Sequence, residues 1–541
     1  MKFSRLSLVL LLVLLYKSLN AQYLERPLEK VPTNWFNLDY QEDGIRGIST
    51  ERAYREILKN KTSKPVLVAI IDSGVDIEHE DLKSKIWVNP NEIPNNGIDD
   101  DGNGYIDDIH GWDFLGGKDG KDIDKECLEI TREYARLRKH FKFSVDINKL
   151  SPDELAKYKL YEKYKSKYEA TVNELRKEGN YIINFYSQYV IAKQLLCRHL
   201  KVNTISQADL HKINSRDAQD LQKARKILEI FYEIGEDESK LKEAYEYYNN
   251  KLIFGVNLNF DPRPIIGDDV DNLNDRNYGN NEVKGPDAHH GTHVAGIIAA
   301  NRSNEIGISG IVDNVQIMVL RAIPEGDERD KDVASAIMYA VNNGAKVINM
   351  SFGKSLSPQK YAVDAAVRYA ESKGVLLVHA AGNENENIDQ TENYPSKYLT
   401  DSSMVENWLE VGATTWMQSP STVANFSNYG HKTVDVFAPG FEIKSTVVGS
   451  KYEELSGTSM AAPVVTGLAA LILSYYPEFD FRQVKNIVLN SATKLNHLQV
   501  ARPGSSEIVE FGELSSTGGI VNAYQAILLA EKEAKMNPKN Q

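Results

Sequence analysis

Val66-Leu-Val-Ala-Ile-Ile-Asp72-Ser73-Gly74 narrows the fold more than any other stretch: an unbroken apolar run that ends in an acid and a glycine. A strand without polar alternation is buried on both faces, as in parallel sheets covered by helices on each side. An acid at the C-terminal end of such a strand lies where open α/β sheets gather their sites. Val315 to Arg321, Lys346 to Gly353 and Val375 to Ala381 read as further buried strands. Asp332 to Asn343 has the pattern of a helical crossover between the first two, as right-handed βαβ units require. The expected core is a mostly parallel α/β sheet with helices on both faces.

Two apolar helices open on polar residues. In Gly457-Thr458-Ser459-Met-Ala-Ala-Pro463 the serine precedes Val464, Val465, Leu468, Ala469, Leu471 and Ile472, which have the spacing of a buried helix. A serine at a helix N-terminus has backbone N–H groups and the positive dipole end beside it, so negative charge developing there is stabilised. The second is His289-His290-Gly291-Thr292-His293-Val-Ala-Gly296. Acid, imidazole and hydroxyl together supply a base-activated nucleophile, the acid fixing the imidazole's tautomer. Spacing alone leaves His290 and His293 both open as the base.

Asp72-Ser-Gly, His290-Gly-Thr-His-Val-Ala-Gly and Gly457-Thr-Ser-Met-Ala-Ala-Pro resemble the three signatures of the subtilisin-like serine proteases, in that family's chain order. The resemblance covers Trp35 to Asp119 and Val256 to Ala530. It implies a subtilisin-like fold and a triad of Asp72, His290 and Ser459, with His293 packed behind the base. Asn383, in Gly382-Asn383-Glu384, takes the place of the family's side-chain oxyanion donor. Asn349 to Gly353 resembles the strand that pairs with an extended substrate and walls the P1 pocket, so Ser351, Gly353, Ala380 and Gly382 are the implied substrate contacts. Glu384 falls near the mouth of that pocket, where a carboxylate favours basic or polar groups. Tyr394-Pro395 matches a turn where cis-proline occurs. Asp81 matches a calcium ligand of several relatives, although the partner loop Asn301 to Ile306 departs from the family. Tyr23 to Lys64 is shorter than the usual prodomain, so autocatalytic maturation is not carried over with the resemblance.

A further metal signal is independent of that likeness. Asn95 to Asp108 places oxygen-bearing side chains at Asp99, Asp101, Asn103 and Asp107, a turn glycine at Gly104 and a main-chain carbonyl at Tyr105. These are the first nine positions of a calcium loop. His110 stands where an EF-hand has its glutamate, so the loop is not a regular EF-hand, and Asp108 is an alternative ligand. Hard oxygen donors suit Ca²⁺ in a structural role. No organic cofactor is implied. The acidic run Gly267 to Asp275 reads as a solvated loop.

The net charge of −13 argues against a nucleic-acid partner, which calls for a basic stripe. Lys2 and Arg5, the apolar Leu6 to Tyr16 and the end at Ala21 read as a signal peptide over residues 1–21, too short to span a bilayer. The expected protein is exported, secreted or periplasmic or at the cell surface, without stable membrane insertion. Cys127 and Cys197 are the two cysteines; a disulfide is allowed but not implied.

The catalytic domain is expected over residues 22–121 and 255–530, with a charged tail over 531–541. Between its two parts, residues 122–254 form an all-α helical insertion, rich in Lys, Glu and Tyr. Ser151-Pro152-Asp-Glu154 is a capping box, and Leu155, Tyr158, Tyr161, Tyr164, Tyr168, Val172 and Leu175 follow at helical spacing. Gly179 is expected to break or kink this helix; others follow from about Ser215 and Asp237. The insertion reads equally as a lid, a substrate-selecting arm or a docking module for a protein partner. An exported serine endopeptidase acting on polypeptides is the leading reading. A narrow processing protease gated by the insertion and an inactive, partner-binding scaffold are the alternatives.

Overall fold

The structure, a computed structural model, describes residues 31–141, 145–214, 216–235, 238–275 and 278–536. The expected signal peptide and the end of the tail lie outside these residues.

Thirteen strands are described: β1 (Val66–Asp72), β2 (Gly111–Asp113), β3 (Val315–Arg321), β4 (Val347–Met350), β5 (Leu376–Ala380), β6 (Trp408–Thr414), β7 (Val436–Pro439), β8 (Ile443–Val447), β9 (Lys451–Leu455), β10 (Thr493–Lys494), β11 (Gln499–Ala501), β12 (Ile508–Glu510) and β13 (Gly519–Ile520). Nine form one sheet in the order β10-β13-β7-β6-β5-β4-β1-β3-β2. Its pairings are parallel except β10 with β13. β1 is fully buried but for Leu67, as its unbroken apolar run requires. From β1 the chain moves to β2 and β3 on one side, then crosses back to β4 and onward on the other. The order therefore reverses between β1 and β4, and a crevice opens beyond their C-terminal ends.

Helices cover both faces. The insertion contributes α1 (Glu129–Arg138), α2 (Pro152–Leu200), α3 (Gln219–Ile234) and α4 (Glu238–Asn250); the core contributes α5 (His289–Ala299), α6 (Asp330–Asn342), α7 (Lys360–Ser372), α8 (Thr458–Tyr475), α9 (Phe481–Asn490) and α10 (Ala523–Met536). One hydrophobic core joins a face of the sheet to α5 and α8, and a second joins the other face to α6 and α7. α8 is long and apolar enough to cross a membrane, but 89% of it is buried inside the protein. α10 runs on to Met536, so the charged residues from Glu531 continue a helix rather than open a tail.

The insertion departs from its sequence reading at Gly179. α2 passes through this glycine without ending, after a capping box at Ser151 and Glu154. A Cβ at Gly179 would lie 3.0 Å from Cβ of Tyr248, so the glycine admits α4 against α2 instead of stopping the helix. Tyr189, Leu196, Leu228 and Phe231 build a small core at the far end, and Ile130, Tyr134, Leu137 and Tyr164 build another at the near end. Tyr161 and Tyr168 of the tyrosine stripe pack against the near core.

Where the insertion meets the sheet domain, charges are buried and paired. Lys354 Nζ donates to Glu129 Oε2 at 2.7 Å and to the Glu328 carbonyl at 2.6 Å, and pairs with Asp330 at 2.9 Å. Arg132 donates to Glu129 at 2.5 Å and to the carbonyl of Asp327 at 2.8 Å. Glu126 pairs with Arg263 and Arg329 at 3.2 and 2.9 Å. Burial alone would raise the Glu126 and Glu129 pKa values, but the surrounding guanidinium and ammonium charges outweigh it and hold both at about 2. Such pairs are costly to break singly, because a partner is left charged and buried. Cys127 and Cys197 are both free. Burial pushes the Cys127 thiol up to about 12, so it stays protonated.

Candidate active site

Asp72 ends β1, His290 stands in the first turn of α5 and Ser459 in the first turn of α8, all around the crevice beside β1 and β4. Gly291 is what lets α5 come so close. A Cβ there would lie 2.1 Å from the Gly74 carbonyl and 3.1 Å from Cβ of Asp72.

His290 Nδ1 lies 2.7 Å from Asp72 Oδ1. The same carboxylate oxygen accepts the Ser73 N–H at 2.8 Å, while Oδ2 is buried without a hydrogen-bond partner. A carboxylate so weakly solvated pulls strongly on the imidazole. Burial works against imidazolium at His290, but the charge and hydrogen bond of Asp72 outweigh it and raise the pKa above 6.5. The other histidines behave differently. Burial drives His293 down to about 3, and its Nε2 faces the carbonyls of Ile443 and Glu453 at 3.0 and 3.1 Å. His289 turns outward to Glu453 at 2.9 Å. Of the three, His290 is the one held by the buried carboxylate of Asp72 at the crevice.

Ser459 Oγ donates to the Ser351 carbonyl at 3.1 Å rather than to His290. A turn about its Cα–Cβ bond is needed before the imidazole can take the proton, and such bonds often tighten only when substrate is present. Ser351 Oγ in turn donates to the Ser459 carbonyl at 2.9 Å, fixing the backbone of Ser459.

Asn383 follows the turn after β5. Its Oδ1 accepts from Thr458 N and Thr458 Oγ1 at 2.8 and 3.0 Å, which leaves Nδ2 as the outward donor. A Cβ built on Gly457 would lie 3.5 Å from Asn383 Nδ2 and 3.6 Å from Ser459 N. Two N–H donors thus face one small space beside Gly457, and the absent side chain keeps it open. The arrangement can hold an oxyanion.

Of the expected substrate contacts, Gly353 is exposed, and its N–H and C=O have no hydrogen bond among the described residues. Its neighbour Lys354 is closed to a substrate strand, exchanging both main-chain bonds with Tyr394 at 2.9 Å each. Ala380 is buried in the core. Both main-chain groups of Gly382 are engaged, by Thr458 Oγ1 at 3.0 Å and by the Asn428 N–H at 2.9 Å. Asn428 also donates to Glu384 Oε2 at 2.7 Å and accepts from the N–H groups of Glu384 and Glu386. Glu384 stays exposed, with one carboxylate oxygen held by Asn428. The sequence offers Thr458 only as a polar opener of its helix and gives Asn428 no role, yet the two orient Asn383 and its turn: one adjoins Ser459, the other is distant in the chain. Tyr394-Pro395 is cis, as is Ser419-Pro420.

Asp81 is fully buried, and its carboxylate accepts from Asn301 N, Asn304 Nδ2 and Tyr452 Oη at 3.1, 2.7 and 3.3 Å; it organises the 301–308 loop. In the acidic loop, Asp99 and Asp101 approach Glu92, a residue absent from the sequence expectation. Asn103 and Asp107 are turned to local main-chain bonds: Asn103 Oδ1 accepts Tyr105 N at 2.7 Å, and Asp107 accepts Asn96 N and Gly97 N at 3.0 and 2.8 Å.

The family model described as the subtilase family matches residues 63–512. The chain is 45% identical over 186 residues to the thermophilic serine proteinase of Bacillus sp. (strain AK1), covering 34% of this chain and 42% of that one. It is 37% identical over 207 residues to the thermostable alkaline protease of Halalkalibacterium halodurans, covering 38% and 53%. To subtilisin BL of Lederbergia lenta it is 38% identical over 207 residues, covering 38% and 71%. The chain spans about half the length of the first two.

Proposed function

Because the chain belongs to the subtilase family, we propose that it is a serine endopeptidase acting on polypeptides through an acyl-enzyme. One observation carries the reading: a nucleophile whose own N–H shares an open space with Asn383 Nδ2, at a crevice whose base is held by a buried acid at 2.7 Å. Ser459 Oγ attacks the scissile carbonyl as His290 Nε2 takes its proton, with Asp72 stabilising the imidazolium. The carbonyl oxygen becomes the oxyanion between Ser459 N and Asn383 Nδ2. His290 returns the proton to the leaving amine, and water repeats the sequence on the ester. The free main-chain pair of Gly353 binds the acyl side of the substrate as an added strand.

Export is part of the proposal, supported by the basic and apolar pattern of residues 2–21. A narrower reading, with the insertion limiting access, is favoured by Lys354. This residue adjoins Gly353 and is held by Glu129 of α1, so the insertion is fixed at the end of the substrate strand.

Covalent labelling with a fluorophosphonate tests the proposal. The adduct is expected on Ser459, and a folded protein that never labels would end the enzymatic reading. Incubation with unfolded casein then separates the two forms, many cuts marking a general protease and few a gated one.

The oxyanion site makes its own prediction. Asn383→Ala should lower kcat by about 10²–10³, or about 2.7–4 kcal/mol, with KM little changed; the magnitude comes from a subtilisin, so it is borrowed from this family. Gly457→Ala should act in the same direction, because the added methyl occupies the space the oxyanion needs. A KM effect with kcat intact in either variant would remove both donors from the mechanism.

A further inference from the structure

Glu92, Asp99 and Asp101 each bring a carboxylate oxygen to within 4.8 Å of the others. Lys85 pairs with Asp313 and Lys121 with Asp119 rather than with these acids. Glu92 is only 7% exposed. Its Oε1 accepts the N–H groups of Asp100 and Asp101 at 2.9 and 3.1 Å, while Oε2 is buried with no hydrogen-bond partner. A buried, orphaned carboxylate oxygen beside two further carboxylates is unfavourable unless a cation meets it.

We propose that Glu92, Asp99 and Asp101 bind one Ca²⁺ ion. The donors are oxygen only, which excludes the thiolate- and imidazole-loving metals. They belong to a loop already shaped from within. Asp99 accepts Asn103 N and Gly104 N at 3.0 and 2.8 Å, and Asp101 accepts Asn103 N at 3.0 Å. Three converging carboxylates on an irregular loop suit Ca²⁺, which tolerates variable geometry, better than Mg²⁺, which demands a near-ideal octahedron. Alternating oxygen positions in the sequence could not reveal Glu92, which precedes Asp99 and joins it only through the turn between them.

The ion would brace more than its loop. Asn89 Nδ2 donates to Asp101 Oδ2 at 3.2 Å and to Asp108 Oδ1 at 3.0 Å. Asp108 also accepts the Tyr339 hydroxyl of α6, and Asn89 N donates to the Ile109 carbonyl at 2.7 Å, just before β2. Ca²⁺ thus links the loop to the edge of the sheet and to a helix behind it.

The test uses the full chain carrying Ser459→Ala, so self-cleavage cannot imitate destabilisation. Calorimetric titration of the chelator-stripped protein with CaCl₂ is expected to give saturable binding. At a hundredfold excess over Kd the melting temperature should rise by about 3–5 °C. Glu92→Gln keeps the shape and removes the charge; it should weaken the affinity at least tenfold, with Mg²⁺ a poor substitute in the parent. Asp99→Asn, nearer the surface, is the second variant and should weaken binding likewise. No binding by the parent, or equal Ca²⁺ affinity in parent and both variants, would overturn the assignment.

Discussion

Ser459→Ala should lower kcat by about 10⁶-fold, the scale reached when a subtilisin loses its nucleophile. That corresponds to about 8 kcal/mol of transition-state stabilisation. The reason is chemical: without Oγ no ester forms, and the remaining hydrolysis must use water directly. The proposed oxyanion donors Ser459 N and Asn383 Nδ2 survive, because one is main chain and the other is held by Thr458. Residual turnover should therefore exceed the uncatalysed reaction by about 10³–10⁴-fold. The removed hydroxyl's contact to the Ser351 carbonyl lies within a crevice that stays folded, so melting should be almost unchanged. Progress curves on a peptide anilide at high enzyme concentration check this. Activity within tenfold of the parent would place the nucleophile elsewhere.

Asp72→Asn carries the second-largest effect, about 10⁴-fold in kcat/KM or about 5.5 kcal/mol. The amide can no longer hold the Nδ1–H tautomer or offset the imidazolium charge. It should also move the pH profile, in a direction fixed by the competing influences on His290. Burial lowers its pKa, while the charge and hydrogen bond of Asp72 raise it to a net position above 6.5. His290 must be neutral to act as base, so parent activity falls as pH drops through that raised pKa. Removing the Asp72 carboxylate leaves burial opposed only by the weaker pull of Asp287, and the acid limb should shift to lower pH. A full pH–rate profile of kcat/KM for both proteins decides the matter; an unmoved limb would detach Asp72 from the titrating group.

That Asp72, His290 and Ser459 stand around one crevice was legible because each sits in a short motif at the end of an element whose apolar pattern is strong. β1, β3, α5 and α8 follow from local composition, and the crevice follows from their order. Other features depend on contacts between distant segments. Gly179 has the residue type of a helix breaker, yet Tyr248 fills the space its missing side chain leaves. Glu92 is an ordinary surface-type acid in sequence and becomes buried only through the turn that brings it to Asp101. Lys354 reads as one more lysine after a strand; its partners Glu129 and Asp330 come from the insertion and from the start of α6. Tertiary pairing decides such positions, and no local pattern encodes it.

The pairing of β1 with β3 and β4 across the whole insertion has a consequence for the order of events during synthesis. The helices α1 to α4 emerge from the ribosome before β1 has any partner strand, and their contacts are mostly local, which favours rapid formation. The sheet can close around β1 only after the insertion has been made. The serine comes later still, in the last part of the chain. A nascent molecule thus carries Asp72 and His290 well before it carries Ser459, and the larger core closes only when α8, the helix that Ser459 opens, has been made.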